Sequence, residues 1–240
     1  MLEYDSRRNI YIGKTKEEAL DFSVENWIHV AARSIQKSGK FAVALSGGST
    51  PKAIYEKLSE MPDAVDWKKV FLFWGDERSV PPEHPDSNYK MAMEHFSKLP
   101  IPKNQIFRMV AEMDIEKNAK DYEEKIRNML GKSRFDLVML GVGEDGHTAS
   151  LFPNTKALSE SHALVVGNDV PQKETQRMTL TYPCINESSH IAIYALGKSK
   201  QEIVPKVLKA PIISPLPTSA IGTEKSPALW VLDADAAATL

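Results

Sequence analysis

The sequence predicts an α/β fold in which a mainly parallel sheet is flanked by helices. Short apolar runs without polar alternation recur along the 240 residues, as expected for strands that are buried on both faces of a parallel sheet. Segments with helical hydrophobic spacing separate these runs, which is typical of strands joined by helical crossovers. The chain has no internal repeat, low-complexity tract or evident linker, so residues 1–240 are expected to form a single domain.

The first elements show this alternation clearly. Thr15 and Glu18 form a capping-box pair, and apolar residues follow at helical spacing as far as Gly39, so a helix is expected there. A buried strand is predicted over 41–45. The segment SGGSTP follows it and begins a second helix, for which Thr50 is the expected N-cap.

The same alternation continues to the end of the chain. Further strands are predicted at 70–74, 135–140, 163–166, 178–180, 191–196 and 228–233. Further helices are predicted at 88–97 after Ser87 as the cap, along an apolar stripe from Ile115 to Met129, and at 200–209. The proline-rich segment 211–217 is predicted to be an ordered loop.

Composition excludes several classes of protein. With 30 basic and 32 acidic residues and no nucleic-acid-binding motif, the chain is not expected to bind nucleic acid. Cys184 is the only cysteine, which excludes an intrachain disulfide and a cysteine-based metal site. The sequence has neither a secretory apolar segment nor a stretch long enough to cross a bilayer, so a cytoplasmic location without a membrane partner is expected. Monomer and homodimer both stay open.

Three polar loops each follow an apolar strand. SGGSTP comes after Leu45, GDER after Trp74, and GVGEDGH after Leu140. The carboxyl ends of parallel strands meet at one edge of a sheet, where ligands of such folds bind. One shared site is therefore predicted.

The third loop contains the strongest candidate for proton transfer. Glycine permits tight turns and close approach of the backbone, and histidine is the side chain that titrates nearest neutrality. His147 lies two residues after Asp145, which predicts an oriented proton acceptor. No second histidine or cysteine lies at metal-ligand spacing, and no acidic residue suited to a ribose lies about 20 residues on, so neither a metal nor a dinucleotide cofactor is expected.

The first loop combines adjacent glycines with hydroxyl side chains at the start of a helix. Gly47, Gly48, Ser49 and Thr50 would offer backbone N–H groups and the positive end of the helix dipole to a phosphate. An ordinary β–α turn is the alternative for this segment, because such turns also occur without ligands.

Three cationic residues and one carboxylate are further candidates. Arg78 follows Asp76 at a strand end and could pair with a phosphate or an oxyanion, while a local ion pair is the alternative. Arg177 precedes a strand and Lys200 lies at a strand-to-helix junction, where each could face an anionic ligand or simply be solvated.

Five segments together resemble the 6-phosphogluconolactonase family. They are LSGGSTP (45–51), WGDERSVPPEHPDSNY (74–89), FDLVMLGVGEDGHTASLFP (135–153), RMTLT (177–181) and, more weakly, GKSK (197–200). The resemblance implies hydrolysis of 6-phospho-D-glucono-1,5-lactone to 6-phosphogluconate, a step of the oxidative pentose phosphate pathway. It also implies a modified Rossmann-like sandwich, the fold of glucosamine-6-phosphate deaminases and ribose-5-phosphate isomerases.

The resemblance suggests a role for each candidate residue. The phosphate would rest on residues 47–50, with Arg177 and Lys200 as counter-charges. His147 would act as a general base on the water that attacks C1, and Asp145 would orient the imidazole or a sugar hydroxyl. Backbone amides of the glycine turn, or Arg78, would stabilise the oxyanion, and Asp76 would bind sugar hydroxyls or position Arg78.

Two alternatives to the lactonase remain. A glucosamine-6-phosphate deaminase would continue its histidine motif into an AFNEP-like segment with an acidic residue, whereas this chain has TASLFP, and it would have an MDE-type turn in place of GDER. A non-enzymatic sugar-phosphate sensor would keep SGGST and the basic residues but would need no histidine at the turn. The intact GEDGH motif favours an enzyme.

Overall fold

A computed structural model describes residues 2–131 and 135–240. Within these ranges the strands are β1 (Leu2–Asp5), β2 (Arg8–Gly13), β3 (Phe41–Leu45), β4 (Val70–Trp74), β5 (Asp76–Arg78), β6 (Leu137–Gly141), β7 (Val165–Val170), β8 (Thr175–Leu180), β9 (Ile191–Ala195) and β10 (Ala228–Asp233). The helices are α1 (Lys16–Ser38), α2 (Ser49–Ser59), α3 (Asn88–Phe96), α4 (Ile115–Leu130), α5 (Tyr182–Asn186) and α6 (Ile203–Lys209). No helix among the described residues is both long and apolar enough to cross a bilayer.

The larger sheet of the described chain is mainly parallel. Its seven strands lie in the order β1-β2-β10-β9-β6-β3-β4, and only the edge pair β1 and β2 is antiparallel. All five residues of β3 are buried, as the unbroken apolar run requires of a central strand that is covered on both faces. The predicted α/β class with a mainly parallel sheet is confirmed.

A smaller antiparallel sheet is the main feature that the sequence did not predict. Its strands lie in the order β5-β8-β7. The predicted strand at 163–166 overlaps β7 only from Val165, and the one at 178–180 lies within β8, but these strands pair with each other and with β5 rather than joining the parallel sheet. The sequence of β5 resembles a loop, because its residues are charged and show no alternation of apolar and polar side chains.

Helix α1 forms as its sequence pattern predicts. Thr15 Oγ1 accepts the N–H of Glu18 at 3.1 Å, and the helix ends at Gly39, whose φ of 77° is accessible to glycine without strain. The carboxylate of Glu18 accepts the N–H of Lys14 at 3.0 Å, one residue earlier than in the standard capping box. Buried apolar side chains such as Leu20 and Trp27 attach the helix to the sheet.

Helix α2 begins earlier than expected. Ser49 is its first residue and Gly48 is the N-cap, so the prediction of Thr50 as the N-cap is wrong. Gly48 has φ 102°, a conformation that side-chain-bearing residues rarely adopt, and this geometry allows the chain to turn directly from β3 into the helix. Ser49 and Thr50 therefore both lie in the first helical turn.

His95 on α3 should make stability depend on pH. It is buried, neither ring nitrogen has a hydrogen-bond partner among the described residues, and burial lowers the pKa of its imidazole. The unfolded chain then takes up this proton near the ordinary value of about 6.5, whereas the folded chain takes it up only at lower pH. The free energy of unfolding therefore keeps its full value above the ordinary pKa of histidine, and it decreases as the pH falls below that value.

Urea unfolding of His95→Leu should measure this effect. Between about pH 7.5 and about pH 5.5, the variant should lose less stability than the parent protein, because the titrating group is gone. His29 is exposed on α1, and His29→Leu should keep the parent's pH dependence. An equal pH dependence in the parent and in His95→Leu would show that His95 is not the group responsible.

Candidate active site

A pocket of about 280 Å³ lies at the carboxyl edge of the parallel sheet, where the three polar loops meet. Its walls come from the segment that joins β3 to α2, from β5 and β8, and from the turn after β6. Every predicted site residue lines the pocket except Asp145, which lies behind the histidine. The lining residues that were predicted are Gly47, Gly48, Ser49, Thr50, Asp76, Arg78, His147, Arg177 and Lys200.

The first wall is the start of helix α2. Its N-terminal N–H groups have no intrahelical acceptor, and no side chain among the described residues caps them at Gly48. Gly47 must be glycine for a different reason, since a Cβ there would lie 2.1 Å from Oδ1 of Asn88. The helix terminus thus faces the pocket as a group of free donors next to the positive end of a helix dipole, which is suited to an anion.

Two arginines face each other across the small sheet. The antiparallel register of β5 and β8 places Arg78 directly opposite Arg177. The Nε atom of each is buried and has no hydrogen-bond partner among the described residues. Like charges in directly opposed positions destabilise a strand pair, and an anion bound between them would remove that cost.

Charge and burial act together on this pair. Burial lowers the pKa of Arg177, the charge of Arg78 lowers it further, and the carboxylate of Asp76 opposes both. The guanidinium nevertheless remains charged near neutral pH. Arg78 also donates from Nη1 to the carbonyl oxygen of Asp86, and within the described chain no ion pair joins it to a carboxylate. The alternative of a local ion pair within GDER is therefore wrong.

Lys200 reaches the pocket from a short turn after β9. Its Nζ donates to the carbonyl oxygen of Val142 at 2.9 Å, which holds the ammonium group beside the turn that follows β6. The turn itself begins at Gly197, whose N–H is bound by both carboxylate oxygens of the buried Asp233 at 3.0 and 2.9 Å. A carboxylate at the end of β10 thus fixes the backbone that carries the lysine.

His147 and Asp145 form the predicted pair. Nδ1 of His147 lies 2.5 Å from Oδ1 of Asp145, and the same oxygen accepts the backbone N–H of His147 at 3.1 Å. Burial alone would raise the pKa of Asp145, but these hydrogen bonds and the imidazole outweigh it and lower that pKa. Because an ionised carboxylate only accepts, we assign the proton of the neutral ring to Nδ1, which leaves a free lone pair on Nε2.

Glycines let the turn close around the imidazole. A Cβ at Gly143 would lie 2.1 Å from both Cε1 and Nδ1 of His147. Gly146 has φ 77°, and a Cβ there would lie 2.8 Å from Cδ2 of Leu216. Thr218 donates to the carbonyl oxygen of Gly146 from its N–H at 2.9 Å and from Oγ1 at 2.7 Å. The proline-rich segment 211–217 and the residue after it therefore pack against the turn that carries the histidine.

Asp76 holds neighbouring polar groups in the pocket wall. It is buried, and its carboxylate accepts from Oγ of Ser150 at 2.7 Å and from Nδ2 of Asn88 at 3.3 Å. The same amide donates to the backbone carbonyl of Asp76 at 2.9 Å. Asp76 thereby connects the GDER strand, the start of α3 and the segment after His147.

Glu77 has a structural role on the opposite face of β5. Its buried carboxylate accepts the backbone N–H groups of Arg78, Asn88 and Tyr89, each at 2.8 Å, and the hydroxyl of Ser87 at 3.0 Å. Burial raises the pKa of this carboxyl, and these donors counteract the shift. The three bonds from Ser87, Asn88 and Tyr89 attach the start of α3 to the small sheet.

Further residues that were not among the predicted site residues also shape the site. Asn88 lines the pocket from the first turn of α3, and Tyr194 lines it from β9 with a buried hydroxyl that has no partner among the described residues. Phe152 stacks on the ring of His147, with centroids 4.0 Å apart and planes 18° apart. In sequence an aromatic residue is taken as core, so only its position five residues after the histidine could have indicated this contact. Within the described ranges, no group of three or more His, Cys, Asp or Glu side chains is placed to hold a metal ion.

The fold and the pocket define a class of α/β protein in which two arginines, a helix N-terminus and a histidine–carboxylate pair share the carboxyl edge of a mainly parallel sheet. Within that class, the chain belongs to the family described as glucosamine-6-phosphate isomerases/6-phosphogluconolactonase, whose model matches residues 14–230. The resemblance seen in the five sequence segments is therefore confirmed at the level of the family.

Individual relatives are similar over nearly their whole length. A 6-phosphogluconolactonase of Chlamydia pneumoniae is 40% identical over 235 residues, which cover 97% of this chain and 90% of the relative. The structure of 6-phosphogluconolactonase from Trypanosoma cruzi matches with a TM-score of 0.86 and 28% identity, and 98% of each chain is covered. A monomeric glucosamine-6-phosphate deaminase matches with a TM-score of 0.82 at 21% identity, over 97% of this chain and 100% of that one, which shows the common fold alone.

Proposed function

We propose that this protein is a 6-phosphogluconolactonase, which hydrolyses 6-phospho-D-glucono-1,5-lactone to 6-phosphogluconate and serves the oxidative pentose phosphate pathway. Family membership and the names of the relatives support the reaction. One geometric observation carries the proposal. A histidine held by a carboxylate lines the same small pocket as a pair of opposed arginines and a helix N-terminus, so one ligand can meet both.

The phosphate group is placed by the free donors of the pocket. The N–H groups at the start of α2, together with the hydroxyls of Ser49 and Thr50, offer hydrogen bonds to its oxygens. Arg177 and Lys200 supply the counter-charges. A phosphate dianion bound here would also relieve the repulsion between Arg177 and Arg78, whose Nε atoms have no hydrogen-bond partner among the described residues.

The reaction then needs one proton acceptor. Nε2 of His147 takes a proton from the water molecule that attacks C1 of the lactone, and Asp145 holds the ring in the tautomer that makes this possible. Arg78 stabilises the oxyanion of the tetrahedral intermediate, because the N–H groups of Gly143 and Gly146 in the glycine turn already donate to the carbonyl oxygens of His147 and Gly143. As the bond between C1 and the ring oxygen breaks, the imidazolium returns the proton to that oxygen, and the carboxylic acid product ionises in water.

An assay of lactone consumption tests the function. The lactone is generated immediately before use, its spontaneous opening is measured without protein, and the enzymatic rate is the difference. We expect hydrolysis well above the spontaneous rate, with no ammonia released from glucosamine 6-phosphate. Ammonia release would instead identify a deaminase. If the protein binds sugar phosphates but adds nothing to the spontaneous rate, it is a sensor and the proposal fails.

Substitution of Arg177 should mainly weaken phosphate binding. Charge-assisted hydrogen bonds contribute about 1.5–3 kcal/mol, so Arg177→Ala should raise KM by about 10- to 100-fold. Steady-state kinetics with the phosphorylated lactone measure this effect. Glucono-1,5-lactone, which lacks the phosphate, should be hydrolysed equally well by the variant and the parent.

Arg33 provides the matched control for this substitution. It is exposed on α1, away from the pocket, and Arg33→Ala should keep the parent's KM. An unchanged KM in Arg177→Ala would remove this residue from phosphate recognition. An equal loss with both lactones would assign it instead to the reacting end of the substrate.

A further inference from the structure

We propose that Phe152 is a positioning residue that holds the imidazole of His147 and the guanidinium of Arg177 in a fixed relation to each other. The inference rests on the proposed function, because it assumes that His147 accepts the proton. Phe152 itself has no polar side-chain atom and takes no part in the chemistry. Its effect would come from contacts with two groups that face the substrate.

The contacts of this ring involve both halves of the pocket. Its centroid lies 4.0 Å from that of the His147 imidazole, in a stacked arrangement with an interplanar angle of 18°. Cζ of Arg177 lies 5.5 Å from the same centroid, within the range of a cation–π contact. Phe152 is only 1% exposed, so it is packed in the protein rather than lying loosely on the surface.

Neither partner is fully held without the ring. The hydrogen bond from Nδ1 to Asp145 fixes one edge of the imidazole, and Gly143 packs against that same edge, but no other hydrogen bond within the described chain restrains the rotation of the imidazole about this contact. For Arg177, no hydrogen bond or ion pair from the guanidinium to another described residue is present, and its Nε is buried without a partner. The imidazole of His147 and the guanidinium of Arg177 therefore share a contact with the aromatic ring of Phe152.

The turn that carries Phe152 is itself rigidly held. Thr155 donates to the carbonyl oxygen of Phe152 from Oγ1 at 2.8 Å. The buried amide of Asn168 on β7 donates to Ser150 O at 2.8 Å and to Thr155 Oγ1 at 3.0 Å, so it joins both ends of the turn. Because hydrogen bonds hold this turn in place, the ring of Phe152 has a fixed position against His147 and Arg177.

The consequence is a coupling between the base and the cation. If the ring is lost, the imidazole can leave the orientation that aims Nε2 at the attacking water, and kcat should fall. Aromatic and cation–π contacts of this kind correspond to about a three- to tenfold effect each. We therefore expect Phe152→Leu to lower kcat by about 3- to 30-fold, with a smaller rise in KM through Arg177.

A double-variant experiment distinguishes positioning from a purely structural role. Phe152→Leu is measured alone and together with His147→Gln. If the ring acts through the imidazole, its effect on kcat disappears once the imidazole is gone, because coupled residues are not additive. An equal fold-change in both backgrounds would overturn the inference. Phe152→Met, which fills similar space without a flat face, serves as a second variant should the first fold poorly.

A spectroscopic measurement tests the contact without relying on activity. Stacking at 4.0 Å should displace the imidazole proton resonances of His147 upfield, and this displacement should be lost in Phe152→Leu. Phe135 is equally buried, packs against Phe73 and lies outside the pocket, so Phe135→Leu should lower stability but leave kcat and those resonances unchanged.

The outcomes separate the two proposals. A parent protein that fails to hydrolyse the lactone refutes the proposed function, whatever the resonances show. An active parent whose kcat and imidazole resonances are the same in Phe152→Leu refutes the role of Phe152 alone.

Discussion

The variant His147→Gln should hydrolyse the lactone about 10²- to 10⁴-fold more slowly than the parent, which is the usual contribution of a general base. Glutamine can still donate to Asp145 from its amide, but it has no lone pair basic enough to take a proton from water. The residues to which we assign the phosphate lie on other segments of the pocket wall than His147, so KM should change little. Initial rates with freshly made lactone, corrected for spontaneous opening, measure the effect.

Two measurements make this result specific. Titration calorimetry with 6-phosphogluconate should show that His147→Gln still binds product, which separates a catalytic loss from a loss of folding. His29→Gln changes an exposed histidine of α1 and should keep the parent's kcat. If kcat of His147→Gln matched the parent, another group would have to be the base, and the histidine–carboxylate pair would have only a structural role.

The position of the histidine–carboxylate pair could be predicted because the loops that follow parallel strands lie at one edge of the sheet. Residues 47–50, 76–78 and 145–147 each follow a buried apolar strand, and the carboxyl ends of parallel strands meet at one edge. The unbroken apolar runs of β3, β4 and β6 predict that these strands are buried. No knowledge of which strand neighbours which was needed to predict that the three loops converge.

The opposition of the two arginines could not be predicted in the same way. Arg78 and Arg177 are about a hundred residues apart, and they meet only because β5 pairs with β8 in a second sheet. The three residues of β5 are all charged, and β-strand preference depends on the surface that the strand packs on rather than on the residues alone. The sequence therefore indicated that both residues were candidates but gave no reason for their contact.

The contacts that Phe152 and Leu216 make with the histidine turn could not be predicted, for a related reason. Phe152 and Leu216 are apolar, and periodicity assigns apolar residues to the core without indicating which side chain each one touches. The start of α2 was misplaced because Thr50 has the better N-cap side chain, whereas the positive φ of Gly48 determines where the helix begins. Backbone geometry outweighed side-chain preference there.

The glycine that packs against the imidazole leads to the second large prediction. A Cβ at Gly143 would lie 2.1 Å from two ring atoms of His147, far closer than non-bonded carbon and nitrogen atoms approach each other. The backbone of Gly143 lies outside the positive-φ region, so alanine itself is not strained there. The ring, rather than the chain, must therefore move. Gly143→Ala should lose at least about 10²-fold in kcat, because the displaced imidazole no longer meets the water or Asp145.

The displacement can be separated from general damage by comparing variants. Gly143→Ala combined with His147→Gln should be no slower than His147→Gln alone, because the added methyl group acts through the imidazole and through Asp145, whose Oδ1 it would approach to 2.9 Å and which serves the reaction only by holding that imidazole. Gly141→Ala places a methyl group in open space at the end of β6, just before the turn, and should leave the His147 imidazole resonances in place, whereas Gly143→Ala should shift them. A further loss of kcat in the double variant, beyond that of His147→Gln, would mean that Gly143 serves the reaction through the backbone of the turn and not by making room for the base.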